Sequence, residues 1–373
     1  MERYRVLRID EQLYGCEELP EGQPVLCDVL LEDPSGQRRV LAYPDAELTR
    51  LDIHEGDTVH LCCHTLTKCQ EEHMKEIQSS ALIGLGALGI LFGRKMPGVQ
   101  VIADADRIAR YSASPVVCNG EVCHFDYLTP AEGKPVDLIL IAVKATVLEQ
   151  AIRDIAKFVG PDTVILSVLN GITSEEAVEA AYPGHTLWSV AIGMDATRVG
   201  RSLTFGAAGR IQFGEKNGQM TERVRRVADY LDACGIANEP CSDILYKQWN
   251  KLMVNDGLNQ AAAAFDLPYG GLTQPGPAMD KMFEAMNEVI RLSQLEGVNL
   301  PDDNAHAVYD PMAASFKPEG MPSMRQDVLA HRPTEVEEFA GVVRRLAKKH
   351  GMPTPANDFF YEKIKEIEAS WEN

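Results

Sequence analysis

Lys251, Asn255 and Asn259 recur at intervals of four along LYKQWNKLMVNDGLNQAAAAF. On an α-helix that spacing stacks three side chains on one face across about 12 Å. Two asparagines in a helix interior cost propensity relative to alanine, so the polar stripe calls for a reason. A lysine ammonium is both a cation and a proton donor, and an asparagine amide can donate and accept. Such a set suits a small substrate whose carbonyl oxygen gains negative charge, because a positive proton donor must stand at that oxygen. The plainer alternative is a solvated helix face, with Trp249, Leu252 and Met253 packing into a core on the other side.

Two further polar residues stand at strand ends. Lys144 directly follows DLILIAV, and Asn170 directly follows TVILSVL. In an open parallel sheet the ligand crevice lies beyond the carboxyl ends of the strands, so both would line it. Upstream, Gly84-Leu85-Gly86-Ala87-Leu88-Gly89 spells GxGxxG between an apolar strand and a helix. The first glycine permits a tight turn, the second lets a pyrophosphate approach the backbone, and the third lets helix and strand pack closely. The helix start then offers unpaired N–H groups to the phosphates, and NAD(P)H is the expected cofactor. Asp104 stands 20 residues after Gly84. An acid there bonds the adenosine ribose 2′-hydroxyl and repels a 2′-phosphate, which favours NADH. Arg107, three residues on, could still hold a phosphate.

The elements that must position these residues form an α/β pattern. Short apolar strands at 99–104, 137–143, 163–169 and 187–193 follow the glycine turn, with helical segments such as ATVLEQAIRDIAKFV between some of them. This predicts a Rossmann-type dinucleotide-binding domain over 74–241. Helical patterns then take over and predict an all-helical substrate domain over 242–373, with one continuous helix over 242–265. Residues 1–73 read as a small β-rich module, a barrel or sandwich, with no catalytic constellation.

Composition narrows the function. The 36 basic and 55 acidic side chains leave a net charge of −19, which argues against nucleic acid and against anionic membrane surfaces. An anionic substrate therefore needs a locally positive site. No apolar run approaches the ~20 residues that cross a bilayer. The charged start MERYRVLRIDEQ predicts no secretory signal, and nine cysteines then suit a reducing cytoplasm. His60, Cys62, Cys63, His64, Cys69 and His73 cluster without the paired CxxC spacing of a zinc site, and no metal is expected. Cys118 and Cys123 flank Asn119-Gly120, a hairpin turn that sets them diagonally, so both read as free thiols.

Taken together, the motifs resemble the ketopantoate (2-dehydropantoate) reductase family, from about residue 74 to 370. IGLGALG is similar to its dinucleotide turn, AVKA to its lysine after the fourth strand, and LNGI to its asparagine-glycine turn. WNKLMVNDGLNQ resembles its catalytic helix, PSMRQDV its serine-bearing segment, and RPTEVEEFAG its glutamate-bearing helix start. The resemblance implies that Lys251 is the general acid, that Asn255, Asn259 and Ser323 hold a 2-oxo acid, and that Glu335 orients it. It places Lys144 and Asn170 between cofactor and substrate, and it implies NADPH and a homodimer. Asp104 departs from the basic residue that family members carry near that position, and residues 1–73 have no counterpart. Ser323-Met-Arg-Gln326 and Thr334-Glu-Val-Glu337 also fit helix capping boxes, which would give Ser323 and Glu335 purely structural roles. Two other functions fit the same residues: reduction of a different branched 2-oxo acid, and a non-catalytic dinucleotide sensor or scaffold that uses residues 1–73 to bind partners.

Overall fold

A computed structural model of the chain describes residues 2–12, 24–33, 35–62, 64–68 and 75–372. They form two compact units, Met1–Lys75 and Glu76–Asn373. The expected boundary at Met74 lies outside the described residues.

The first unit is an antiparallel sheet of β1 (Glu2–Glu11), β2 (Leu26–Glu32), β3 (Arg38–Pro44), β4 (Thr58–Cys62) and β5 (Thr65–Lys68), in the order β3-β2-β1-β4-β5. Strict alternation in β2 sends Cys27, Val29 and Leu31 to one face, where Tyr4, Val6, Tyr43 and Leu66 join them. Among the described residues the module is one five-stranded sheet, with no second sheet packed on it as a sandwich requires. Among the described residues its edge strands β3 and β5 do not pair with each other. Alternation specifies one buried face but not closure, so the sequence could not distinguish these forms.

The second unit contains β6 (Ser80–Ile83), β7 (Gln100–Ile102), β8 (Val117–Cys118), β9 (Glu121–Val122), β10 (Asp126–Leu128), β11 (Val136–Ile141), β12 (Val159–Ser167), β13 (Thr186–Val199), β14 (Ser202–Gly214) and β15 (Asn238–Pro240). The order is β10-β7-β6-β11-β12-β13-β14-β8-β9, with β15 beside β14. The first six are parallel. β6 and nearly all of β11 are buried, because helices cover both faces of such a sheet. The chain winds from β6 outward to β10, then crosses back to β11 and winds the other way. The strand order therefore reverses between β6 and β11, and sheets of this kind bind ligands beyond the carboxyl ends of the strands at such a reversal.

The strand expected at 187–193 is longer than its apolar run. β13 spans 14 residues and turns back into β14 as an antiparallel hairpin. GMDATRVGRSLTFGAAG shows only weak alternation, and its glycines read as breaks. In the fold Gly193 and Gly209 take positive φ of 72° and 65°, and the ladder continues past them. Cys118 pairs with Glu121 across the Asn119-Gly120 turn, and Cys118 and Cys123 are free thiols, as expected.

After β15 the chain is helical. The helix expected over 242–265 is α over Ile244–Val254, widens to a π-helix over Asn255–Asn259, and resumes as α over Gln260–Ala264. A second π segment spans Glu337–Gly341. Gln260 joins the two: its amide nitrogen donates to the Asp256 carbonyl (2.8 Å) and carboxyl (2.9 Å), and its oxygen accepts the Ala340 N–H at 3.4 Å. Asp256 is fully buried, and that burial raises its carboxyl well above the usual range, with nearby Glu288 adding to the rise.

At the glycine turn, Gly84 has φ of +100°, and a Cβ there would stand 2.5 Å from the carbonyl oxygen of Ala142, the residue just after β11. A Cβ on Gly89 would collide with the Gly84 carbonyl oxygen. Neither neighbour is a flexible side chain. Gly89→Ala is expected to lower the urea midpoint of unfolding by the equivalent of about 1–3 kcal/mol, the usual overpacking cost.

Candidate active site

The helix Ile244–Val254 reaches the sheet through two side chains one turn apart. Gln248 donates to the Ser189 carbonyl at 3.0 Å. Lys251 Nζ donates to the Ala191 carbonyl at 2.6 Å and to Asn170 Oδ1 at 2.9 Å. Trp249, Leu252 and Met253, between and beside them, are buried in the helical core. The lysine thus points toward strand ends while its apolar neighbours anchor the helix from the other side.

Asn170 follows β12 and uses both ends of its amide. Oδ1 accepts from Lys251, and Nδ2 donates to Glu335 Oε2 at 2.9 Å. The turn continues through Gly171, whose φ of +92° suits glycine, to Thr173, whose hydroxyl donates to Glu338 at 2.9 Å. Lys251, Asn170 and Glu335 are therefore one hydrogen-bonded chain running from sheet to helix to the 335–338 segment.

Burial lowers the Lys251 pKa from 10.5 to about 8, opposed by the negative charges of Glu335 and then Glu175. Because this value lies below the unfolded one, holding the ammonium costs folding free energy below about pH 8, and that cost fades as pH rises toward 10.5. Glu175 is 1% exposed, and burial pushes its carboxyl up to about 7, against a hydrogen bond from the Ser174 hydroxyl (2.8 Å) and one from the Ser189 N–H (3.3 Å).

The rest of the stripe forms a second group. Asn259 Nδ2 donates to Asn255 Oδ1 at 3.1 Å, and the Ser323 hydroxyl donates to Asn259 Oδ1 at 3.4 Å. Ser323 is the first residue of the helix Ser323–Leu329; Pro322 occupies the cap position, and no side chain caps it. The capping-box reading of Ser323 is therefore corrected: its hydroxyl turns to the stripe. Thr334 donates to Glu368 at 2.7 Å while Glu337 accepts from Tyr361 at 2.8 Å, so no reciprocal box forms there either.

Lys144, after β11, donates to Asp327 Oδ2 and to the Pro333 carbonyl, both at 3.2 Å. Asp327 also accepts from Arg332 Nε at 2.8 Å. Lys144 thereby ties the carboxyl end of β11 to the helix that carries Ser323. Asp104 caps the helix Ala105–Ala113 by accepting the Arg107 N–H at 2.7 Å, and it pairs with Arg107 Nε at 3.3 Å. Gly84, Leu85 and Gly86 form the turn from β6, and Ala87, Leu88 and Gly89 open the helix Ala87–Gly93.

Sequence reasoning missed Glu175, Glu338, Asp327 and Gln248. Gln248 lies three residues before Lys251 and shares its face, a signal that was present. Nothing in SEEAVEAA distinguishes buried Glu175 from exposed Glu176. Among the described residues, no group of three or more His, Cys, Asp or Glu could hold a metal. Cys63, Cys69 and His73 of the expected cluster lie outside them. No described helix is long and apolar enough to cross a membrane.

The chain's similarities to known proteins run through both halves of this site. Residues 80–218 match the family described as ketopantoate reductase PanE/ApbA, and residues 243–368 match its C-terminal counterpart. A 2-dehydropantoate 2-reductase of Streptococcus pyogenes serotype M3 is 27% identical over 291 residues, covering 74% of this chain and 92% of its own. One from Lactococcus lactis subsp. lactis is 28% identical over 241 residues, covering 61% of this chain and 74% of its own. The crystal structure of a PanE/ApbA family ketopantoate reductase from Ralstonia eutropha JMP134 aligns with a TM-score of 0.69 at 22% identity, covering 79% of this chain and 100% of that one. A D-mandelate dehydrogenase complexed with NADH aligns with a TM-score of 0.69 at 25% identity, covering 79% and 99%.

Glu335 is the larger of the two charges that hold the Lys251 pKa up. Glu335→Gln is therefore expected to move the Lys251 titration to lower pH, read by NMR of the ¹⁵N-labelled lysine ammonium. A titration that stays in place, or moves up, would remove Glu335 from that role.

Proposed function

We propose that this chain, which belongs to the ketopantoate reductase family, reduces 2-dehydropantoate to pantoate, with Lys251 as general acid. The observation that carries the proposal is the Lys251 ammonium held at the carboxyl ends of a parallel sheet, bonded to Asn170 and followed by an asparagine stripe.

Residues 74–241 would hold NAD(P)H and residues 242–373 the 2-oxo acid. The tight fit at Gly84 and Gly89, and the reversal of strand order beside them, suit a dinucleotide at this turn. When bound, that cofactor supplies a hydride to C2 of the substrate. Lys251 would stand at the ketone oxygen, stabilise the negative charge that builds there, and give up its proton. Its lowered pKa eases that transfer. Asn170 and Glu335 would hold the ammonium in place and keep it charged. Asn255, Asn259 and Ser323 would bind the substrate's carboxylate and hydroxyl ends.

Cofactor choice turns on Asp104. An exposed carboxylate at this position favours NADH, and its pairing with Arg107 partly offsets that charge. A second reading keeps the mechanism and changes the substrate. The likeness to a D-mandelate dehydrogenase at 25% identity supports other 2-oxo acids, because the stripe would contact the shared oxo-acid core rather than the tail. A homodimer in the cytoplasm is the proposed state.

The test is oxidation of NADH and NADPH with 2-dehydropantoate and with aryl 2-oxo acids. Turnover of neither cofactor with any of them would leave the dinucleotide-sensing alternative. Lys251→Ala is expected to lower kcat by ~10²–10⁴, the usual range for an acid–base group. Only the ammonium can donate, so activity should fall as pH rises through about 8. An unchanged kcat in the folded variant would remove Lys251 from the chemistry.

A further inference from the structure

The β13–β14 hairpin brings a cation to the glycine turn. Met194 and Ala196 face the apolar layer that contains Leu85, Ile90 and Leu91, and Arg198 is the next residue on that face. Its Nη1 donates to the Leu85 carbonyl, inside the glycine turn, and its Nε donates to the Gly200 carbonyl at 2.9 Å. Both acceptors are neutral. A guanidinium carries five donors in a planar fork, and among the described residues no acceptor takes those of Nη2.

Three other poorly exposed arginines meet carboxylates, whereas Arg94 lies over the Phe205 ring at 5.0 Å. Arg223 pairs with Glu215, Arg226 with Asp137 at 3.4 Å, and Arg325 with Asp266 at 3.0 Å. Acids are not scarce, with 55 in the sequence against 36 bases. Yet at the hairpin tip Arg198 has no carboxylate among the described residues. Among the described residues its neighbour Arg201 donates to the Arg110 and Ser114 carbonyls and lies over the Tyr111 ring at 5.7 Å. Burial and the charge of Arg201 push the Arg198 pKa down, opposed by Tyr111. A half-buried cation with only neutral partners costs free energy that an anion would recover.

We infer that Arg198 is a phosphate ligand for the dinucleotide bound at Gly84–Gly89, supplied by the hairpin rather than by the turn. The inference rests on the cofactor reading above. A planar fork suits a phosphate, and the phosphate could be the bridging diphosphate or a ribose 2′-phosphate.

The experiment measures affinity for NADH and for NADPH by titration calorimetry, in wild type, Arg198→Gln and Arg198→Lys, at low and high salt. Arg198→Gln is expected to weaken binding ~10–100-fold, as for loss of a charged hydrogen bond. Arg198→Lys should restore part of it, and high salt should narrow the gap. Equal losses for the two nucleotides identify the diphosphate, and a loss confined to NADPH identifies the 2′-phosphate. Unchanged affinity for both overturns the inference. A loss that lysine does not restore and salt does not narrow also overturns it, because Arg198 would then only brace the Leu85 carbonyl. Failure of the wild type to bind either nucleotide would instead overturn the cofactor reading, and this inference with it.

Discussion

The arrangement depends on one buried ammonium group. A lysine drawn out of water must find acceptors, and Lys251 finds them in the Ala191 carbonyl on β13 and the Asn170 amide after β12. Those two acceptors lie at the same end of the parallel sheet, so the helix can dock in one place and one rotation. Gln248 repeats the contact one turn earlier on the same strand. The apolar side of the helix, buried against Met282, Met286 and Val289 of the helix Pro277–Leu295, offsets the cost of holding the charge.

A second constraint fixes the stripe beyond the lysine. The helix widens to π at Asn255–Asn259 and meets another π segment at Glu337–Gly341, with Gln260 bridging them. Asn357 and Glu288 extend the bridge: Glu288 accepts the Ala356 and Asn357 N–H groups at 2.8 and 3.0 Å. π segments of this kind are frequent at functional sites, because one extra residue in a turn re-aims the side chains that follow. Here the re-aiming leaves Asn259 bonded to Asn255 on one side and to Ser323 on the other, while Lys251 turns to the sheet.

Charge sets a third constraint. Against a net charge of −19, an anion site in this chain requires positive groups gathered locally. Lys144, Lys251 and Arg198 all come to the carboxyl-end side of the sheet, from three different elements. Two of them, Lys144 and Lys251, are tied by carboxylates or amides to the helical segments that carry Ser323 and Glu335. The same few side chains thus fix the placement of those segments against the strand ends.

By itself the sequence determined the class of fold and the chemical types at the site. Glycine spacing, apolar runs of strand length, and polar residues directly after those runs are local properties, and GLGALG, Lys144, Asn170 and the Lys251 stripe were legible for that reason. Tertiary structure decided what locality cannot encode. The hairpin continues through glycines where β14 pairs with it, and the helix widens to π where Gln260 reaches the second π segment. Glu175 was buried and Glu176 left in water by the rotation of one short helix. Arg198 met Leu85 across more than a hundred residues of chain, through a contact that exists only once the sheet has closed the distance between them.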